Sequence, residues 1–162
     1  MQLWQLGRAG FPEVLSKSDS PANPGGPYPY ISASDVRLSG RPESDPAPRP
    51  LKVTEIREYI ELFGKAAQNA VHGAGFDGVE IHGAHGYLVD QFNQEVTNKR
   101  DDEWGGNIEK RSRFALEVLK EVVRVVGEER AAIRFSPFST YQGKSIHLNF
   151  VCLKSYERQI CL

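Results

Sequence analysis

Cysteine is scarce in this chain of 162 residues: only Cys152 and Cys161 occur, in no disulfide or zinc spacing. That reads as free thiols and excludes a disulfide-stapled or zinc-ribbon scaffold. No run of about 18 apolar residues is present to span a bilayer. The start of the chain lacks the basic and then apolar segments of a secretory leader, so the expected compartment is the cytoplasm. An excess of one charge is lacking too. Twenty Lys and Arg stand against 21 Asp and Glu, for a net charge of -1. With the signs interspersed, there is no basic patch for nucleic acid or an anionic membrane surface. Also missing are a G-x-G-x-x-G after a strand, a P-loop and a G-x-S-x-G elbow, which removes the anchors for Rossmann, phosphoryl-transfer and hydrolase chemistry.

What is present suits one soluble core, with 40% hydrophobic and 25% charged residues. All but one of the 10 prolines fall before Leu51. From Gly7 to Pro50 no period of two or 3.6 is sustained, which predicts a long N-terminal loop of the kind used as a lid or binding loop, with room for a hairpin around Tyr30 to Leu38. Periodicity begins at Thr54, a candidate N-cap followed by Glu55 and Glu58 at the positive end of the helix dipole. Ile56, Tyr59, Ile60, Phe63, Ala67 and Ala70 then form one apolar face as far as Gly73 and Gly75. Gly78 to His82 (GVEIH) alternates as a strand. A second helix runs from about Ile108 through Ala115, Val118, Leu119, Val122 and Val126 to Gly127, and Ala131 to Phe135 (AAIRF) reads as the next strand. Gln2 to Leu6 (QLWQL) is a strand that precedes both.

Strand, helix, strand, helix, strand predicts a parallel α/β sheet, doubly wound or closed as a barrel. A complete eight-stranded α/β barrel takes roughly 250 residues. Three strands alone would leave edges unpaired and apolar faces uncovered. The expectation is therefore a fragment of a larger barrel, spanning 1–143, or a piece that depends on assembly. The tail 144–162 (KSIHLNFVCLKSYERQICL) follows neither period and reads as an off-pattern segment.

Catalytic groups of such folds gather at the C-terminal strand ends, which singles out Gln2, His82 and Arg134. Arg134 lies between apolar Ile133 and Phe135, and an arginine so placed needs an anion or acceptor. That acceptor is either a ligand or, structurally, Glu80 on the preceding strand. Past the second strand, His82-Gly83-Ala84-His85-Gly86-Tyr87 brings two imidazoles and a phenol into one tight turn. Three readings stay open: a hydrogen-bonding and proton-donating cluster, a metal site completed by Asp90 or Glu80, or two satisfied loop histidines. The spacing matches none of the familiar zinc patterns. His72 and His147 read as surface.

With these residues placed, the sequence resembles the old yellow enzyme family of flavin-dependent ene-reductases, which includes the 12-oxophytodienoate reductases. The resemblance is carried by QLWQLGR (Gln2 to Arg8), GFDGVEIHGAHGYLVDQF (Gly75 to Phe92), NKRDDEWGGNIEKRSRFALEV (Asn98 to Val118) and IRFSPFS (Ile133 to Ser139). SPFSTYQG, Ser136 to Gly143, looks closest to fungal members. The resemblance implies a (β/α)8 TIM barrel, here its strands three to five, holding FMN that is reduced by NADPH and reoxidised by an enone or enal. It implies that Gln2 meets the pyrimidine edge of the flavin and Arg134 its N1 and O2 side. It further implies that His82 and His85 bind the substrate carbonyl oxygen and that Tyr87 is the proton donor. Trp104 stands where the family usually has Tyr. Strands before and after this stretch have no counterpart, so a truncated chain or pseudoenzyme unable to hold FMN alone is the alternative.

Overall fold

The computed structural model describes residues 1–17 and 27–143. Residues 18–26 and the off-pattern tail 144–162, with Cys152, Cys161 and His147, lie outside the described residues. Three strands, β1 (Gln2–Leu3), β4 (Val79–His82) and β5 (Ala131–Arg134), form a parallel sheet in the order β1-β4-β5. Between them run α2 (Val53–Gln68), a short α3 (Leu88–Asn93) and α4 (Ile108–Val126). Ahead of α2 lie α1 (Pro12–Leu15) and a two-stranded parallel pair, β2 (Ile31–Ser32) and β3 (Arg49–Pro50). The predicted order of strand, helix, strand, helix, strand is that of β1, α2, β4, α4 and β5, to which β2, β3, α1 and α3 are additions.

The two long helices form because each offers the sheet one apolar stripe. Ile56, Phe63 and Ala67 of α2 are buried, as are Phe114, Ala115, Val118, Leu119, Val122 and Val126 of α4. They share one core with Val79 and Ile81 of β4, and Phe92 of α3 meets Phe114 at 4.3 Å between ring centroids. Asn107 caps α4 by accepting the Lys110 amide at 3.1 Å, and Gly127, at φ +90°, ends it.

Four details differ from the expectation. Helix α2 starts at Val53, with Lys52 rather than Thr54 at the cap position. The Glu55 carboxylate accepts the Lys52 amide at 2.7 Å and is gripped by both Nη atoms of Arg49, so capping comes from inside the first turn. At its far end α2 widens into a π-helical turn, Asn69–Gly73. Strand β1 stops at Leu3, because the chain turns to let Leu88 donate to the Gln5 carbonyl at 3.0 Å. No hairpin forms around Tyr30 to Leu38, since β2 pairs in parallel with β3, far along the sequence.

In the described part of the long loop, guanidinium groups satisfy stray carbonyls. Arg8 donates to Val36, Arg37 and Gln142. Arg41 donates to Ala9 and Gly10, and Arg100 to Ala33 and Leu51.

Candidate active site

In-register pairing of Gln2 with Glu80, Glu80 with Ala132 and His82 with Arg134 sets Gln2, Glu80, His82, Ala132 and Arg134 on the sheet face away from α2 and α4. Gln2, Ala132 and Arg134 are exposed there. One carboxylate oxygen organises this face: Glu80 Oε1 accepts from Gln2 Nε2 at 2.6 Å and from Arg134 Nε at 3.0 Å. Arg134 thus has the structural partner its sequence context allowed, and Gln2 shares it. These contacts hold the Glu80 carboxyl below its ordinary range, through the Gln2 hydrogen bond first and then Arg134, with burial opposing.

His82 ends β4 and is buried, and its Nδ1 has no partner among the described residues. Burial depresses its pKa, helped by nearby His85 and Arg134 and opposed by Glu80 and Asp90. Its ring lies 5.7 Å from that of His85 and 5.0 Å from that of Tyr87. Trp4, just past β1, meets the Tyr87 ring edge-on at 5.0 Å. The loop after β4 therefore starts at the strand end where His82 pairs with Arg134, while Gln2 lies further back on the same face, opposite Glu80.

Tight backbone makes that possible. A Cβ on Gly83 would come within 3.0 Å of the Arg134 carbonyl oxygen, so only glycine lets β4 and β5 end so close together. His85 and Gly86 both take positive φ, +56° and +78°. The His85 amide donates to Ser136 Oγ at 2.8 Å and the Gly86 amide to Asp90 Oδ2 at 2.8 Å. Fully buried Gln91 ties the loop to the end of β1. Its Nε2 donates to the Gly86 and Leu6 carbonyls at 2.7 and 3.0 Å, and its Oε1 accepts from the Arg8 amide and Ser32 Oγ at 3.1 and 2.9 Å.

No group of three or more metal-binding side chains occurs among the described residues. Asp90 is engaged by Gly86 and Gln94, and Glu80 by Gln2 and Arg134. Exposed His72 donates from Nε2 to the Val125 carbonyl, a surface role as expected. Sequence reasoning missed Trp4, Gln91 and Ser136, and offered Asp90 only as a metal ligand, whereas it holds the Gly86 amide and Gln94. Only Asp90 and Gln91 carried a signal, as polar residues inside an apolar helical run. A groove of about 480 Å³ between α2 and α4 is lined by Arg57, Glu61, Trp104, Arg113 and Glu121 among others, and holds none of the candidate residues. Among the described residues, no helix is long and apolar enough to cross a membrane.

The family described as NADH:flavin oxidoreductase / NADH oxidase matches this chain over residues 1–158. The chanoclavine-I aldehyde reductase of Penicillium roqueforti is 48% identical over 143 residues, covering 88% of this chain and 36% of that protein. A probable inactive dehydrogenase of Claviceps fusiformis is 48% identical over 143 residues, covering 88% of this chain and 35% of that protein. The crystal structure of the Old Yellow Enzyme from Pichia sp. superposes with a TM-score of 0.85 at 36% identity, covering 98% of this chain and 42% of the other. The chain thus spans little more than a third of the length of the curated relatives, and its sheet and helices form a partial α/β barrel of that type.

Proposed function

The chain belongs to the NADH:flavin oxidoreductase / NADH oxidase family, and on that footing we propose that it carries the substrate-activating side of an FMN-dependent, NADPH-driven reductase of α,β-unsaturated carbonyl compounds. In this reading β1, β4 and β5 are strands three to five of an eight-stranded barrel, and residues 1–143 are its barrel portion. The observation that carries the proposal is the meeting of Gln2 and Arg134 on one open sheet face with His82, His85 and Tyr87 at its rim.

The residues present fit a flavin ring edge. A carboxamide and a guanidinium are fixed side by side on the open face, and a buried imidazole nitrogen nearby lacks a partner. Gln2 and Arg134 would hold the pyrimidine edge, where a fixed positive charge favours the anionic reduced form. The chemistry FMN would supply when bound there is hydride transfer toward the alkene β-carbon. His82, kept neutral by its depressed pKa, retains one N–H to donate. With His85 it binds the carbonyl oxygen and draws electron density from the conjugated bond. Tyr87, held between Trp4 and His82, gives its hydroxyl proton to the α-carbon.

The test is a titration of the chain with FMN, followed by flavin fluorescence and repeated with Gln2→Ala and Arg134→Gln. Weak saturable binding, lost in both variants, is expected. Retention through desalting is not expected, because the candidate contacts among the described residues serve one ring edge only. No saturable binding at millimolar FMN would refute the reading for this chain. A second reading, a non-catalytic member, is favoured by the relative named a probable inactive dehydrogenase. Enone reduction by the chain with added FMN and NADPH would rule it out.

A further inference from the structure

We propose that Glu80 is a positioning residue that sets the donor and acceptor polarity of the open face, holding Gln2 by its amide nitrogen and Arg134 by Nε so that the Gln2 carbonyl oxygen and the Arg134 Nη groups are the ones presented to a ligand. The inference rests on the flavin reading and deepens it. It names what orients the two residues that would meet the ring.

A carboxylate only accepts hydrogen bonds. The 2.6 Å contact from Gln2 Nε2 to Glu80 Oε1 therefore fixes which end of the carboxamide faces inward, an orientation that amides without such a partner leave open. The same oxygen takes Arg134 Nε at 3.0 Å. Among the described residues no hydrogen bond engages Gln2 Oε1 or either Arg134 Nη atom. The face thus offers an acceptor beside a two-pronged cationic donor. That pattern complements a ring edge with an N–H next to a carbonyl oxygen, as in an imide or a urea.

Strand register makes Glu80 the only residue of β4 that can do this. It pairs directly with Gln2 on β1, and Arg134 sits one step further along, beside His82. Fold stabilisation does not account for the arrangement, since the Arg134 and Glu80 side chains are 52% and 34% exposed and such pairs are screened by solvent. His82 faces His85 in its own loop, Arg134 on β5, Glu80 on β4 and Asp90 at α3. It thus reports the local charge balance without any ligand.

The experiment is side-chain NMR of the ¹⁵N-labelled chain and its Glu80→Gln and Arg134→Gln variants, with thermal melting as the folding control. In the unsubstituted chain the Gln2 carboxamide and Arg134 Nε–H signals should follow one titration with a midpoint below 4.5, that of Glu80. Glu80→Gln should abolish that titration, lower the His82 midpoint and leave melting unchanged. Arg134→Gln should raise the His82 midpoint. On adding FMN, shifts at Gln2 and Arg134 should be at least several-fold weaker in Glu80→Gln. Signals indifferent to Glu80→Gln, or a His82 midpoint that stays put, would overturn the inference. FMN that perturbs neither signal in the unsubstituted chain, while both still depend on Glu80, would instead sink the flavin reading and leave the positioning of Gln2 and Arg134 by Glu80 in place.

Discussion

Replacing Gln91 by leucine removes four hydrogen bonds with little change of volume, which makes it a clean test of how the His82–Tyr87 loop is held. The four partners are not equally harmed. Ser32 Oγ can rotate to another acceptor, and the Leu6 carbonyl also accepts the Ala9 amide at 3.2 Å. The Gly86 carbonyl and the Arg8 amide are left without another partner among the described residues. Two stranded buried groups at about 1–3 kcal/mol each place the loss near ~3 kcal/mol. For a chain of this size that is a drop of about 6–12 °C in melting temperature. Urea unfolding at equilibrium measures the loss, and hydrogen exchange at the Arg8 amide locates it. A loss under about 1 kcal/mol, or an Arg8 amide as protected as before, would mean that Gln91 does not hold the loop.

Two further predictions follow from charge. His82 has a folded pKa below 6.5, so between that value and 6.5 the unfolded chain binds more protons. Its contribution to stability is therefore full above 6.5 and is lost as pH falls through the folded value; in His82→Gln, urea midpoints at pH 7.5 and 5 should differ less than in the unsubstituted chain. Glu55 is held down to about 2 by its hydrogen bonds from Arg49, so its contribution is full above 4.5 and fades only as pH drops toward 2. Because the Arg49 side chain is 43% exposed, Glu55→Gln should cost under about 1 kcal/mol at pH 7. Near pH 2 that cost should vanish, and a cost unchanged by acid would contradict the assignment.

Helices α2 and α4 were legible because burial of one stripe imposes a period that the sequence displays, in Ile56 to Ala70 and in Ala115 to Val126. Strands β4 and β5 showed their alternation, and their order gave the parallel sheet. The loop from His82 to Tyr87 was legible as a cluster because its members are sequence neighbours. What stayed hidden depends on side chains meeting backbone far away. Arg8 reaching Gln142, Arg100 reaching Ala33 and Gln91 reaching Leu6 leave no periodic trace. The same holds for Trp4 against Tyr87. The Glu80 and Arg134 pair could be named as an alternative, since adjacent strands put them in reach. That Gln2 joins the same oxygen requires the register, which periodicity does not fix.

On the proposed function, a flavin ring would sit on the open face of Gln2, Glu80 and Arg134, rimmed by His82, His85 and Tyr87. Backbone amide shift mapping of the chain during titration with FMN locates the ring. Saturable shifts confined to β1, β4, β5 and the loop from Gly83 to Tyr87 are expected. Shifts centred instead on the groove between α2 and α4, or none at millimolar FMN, would contradict that placement.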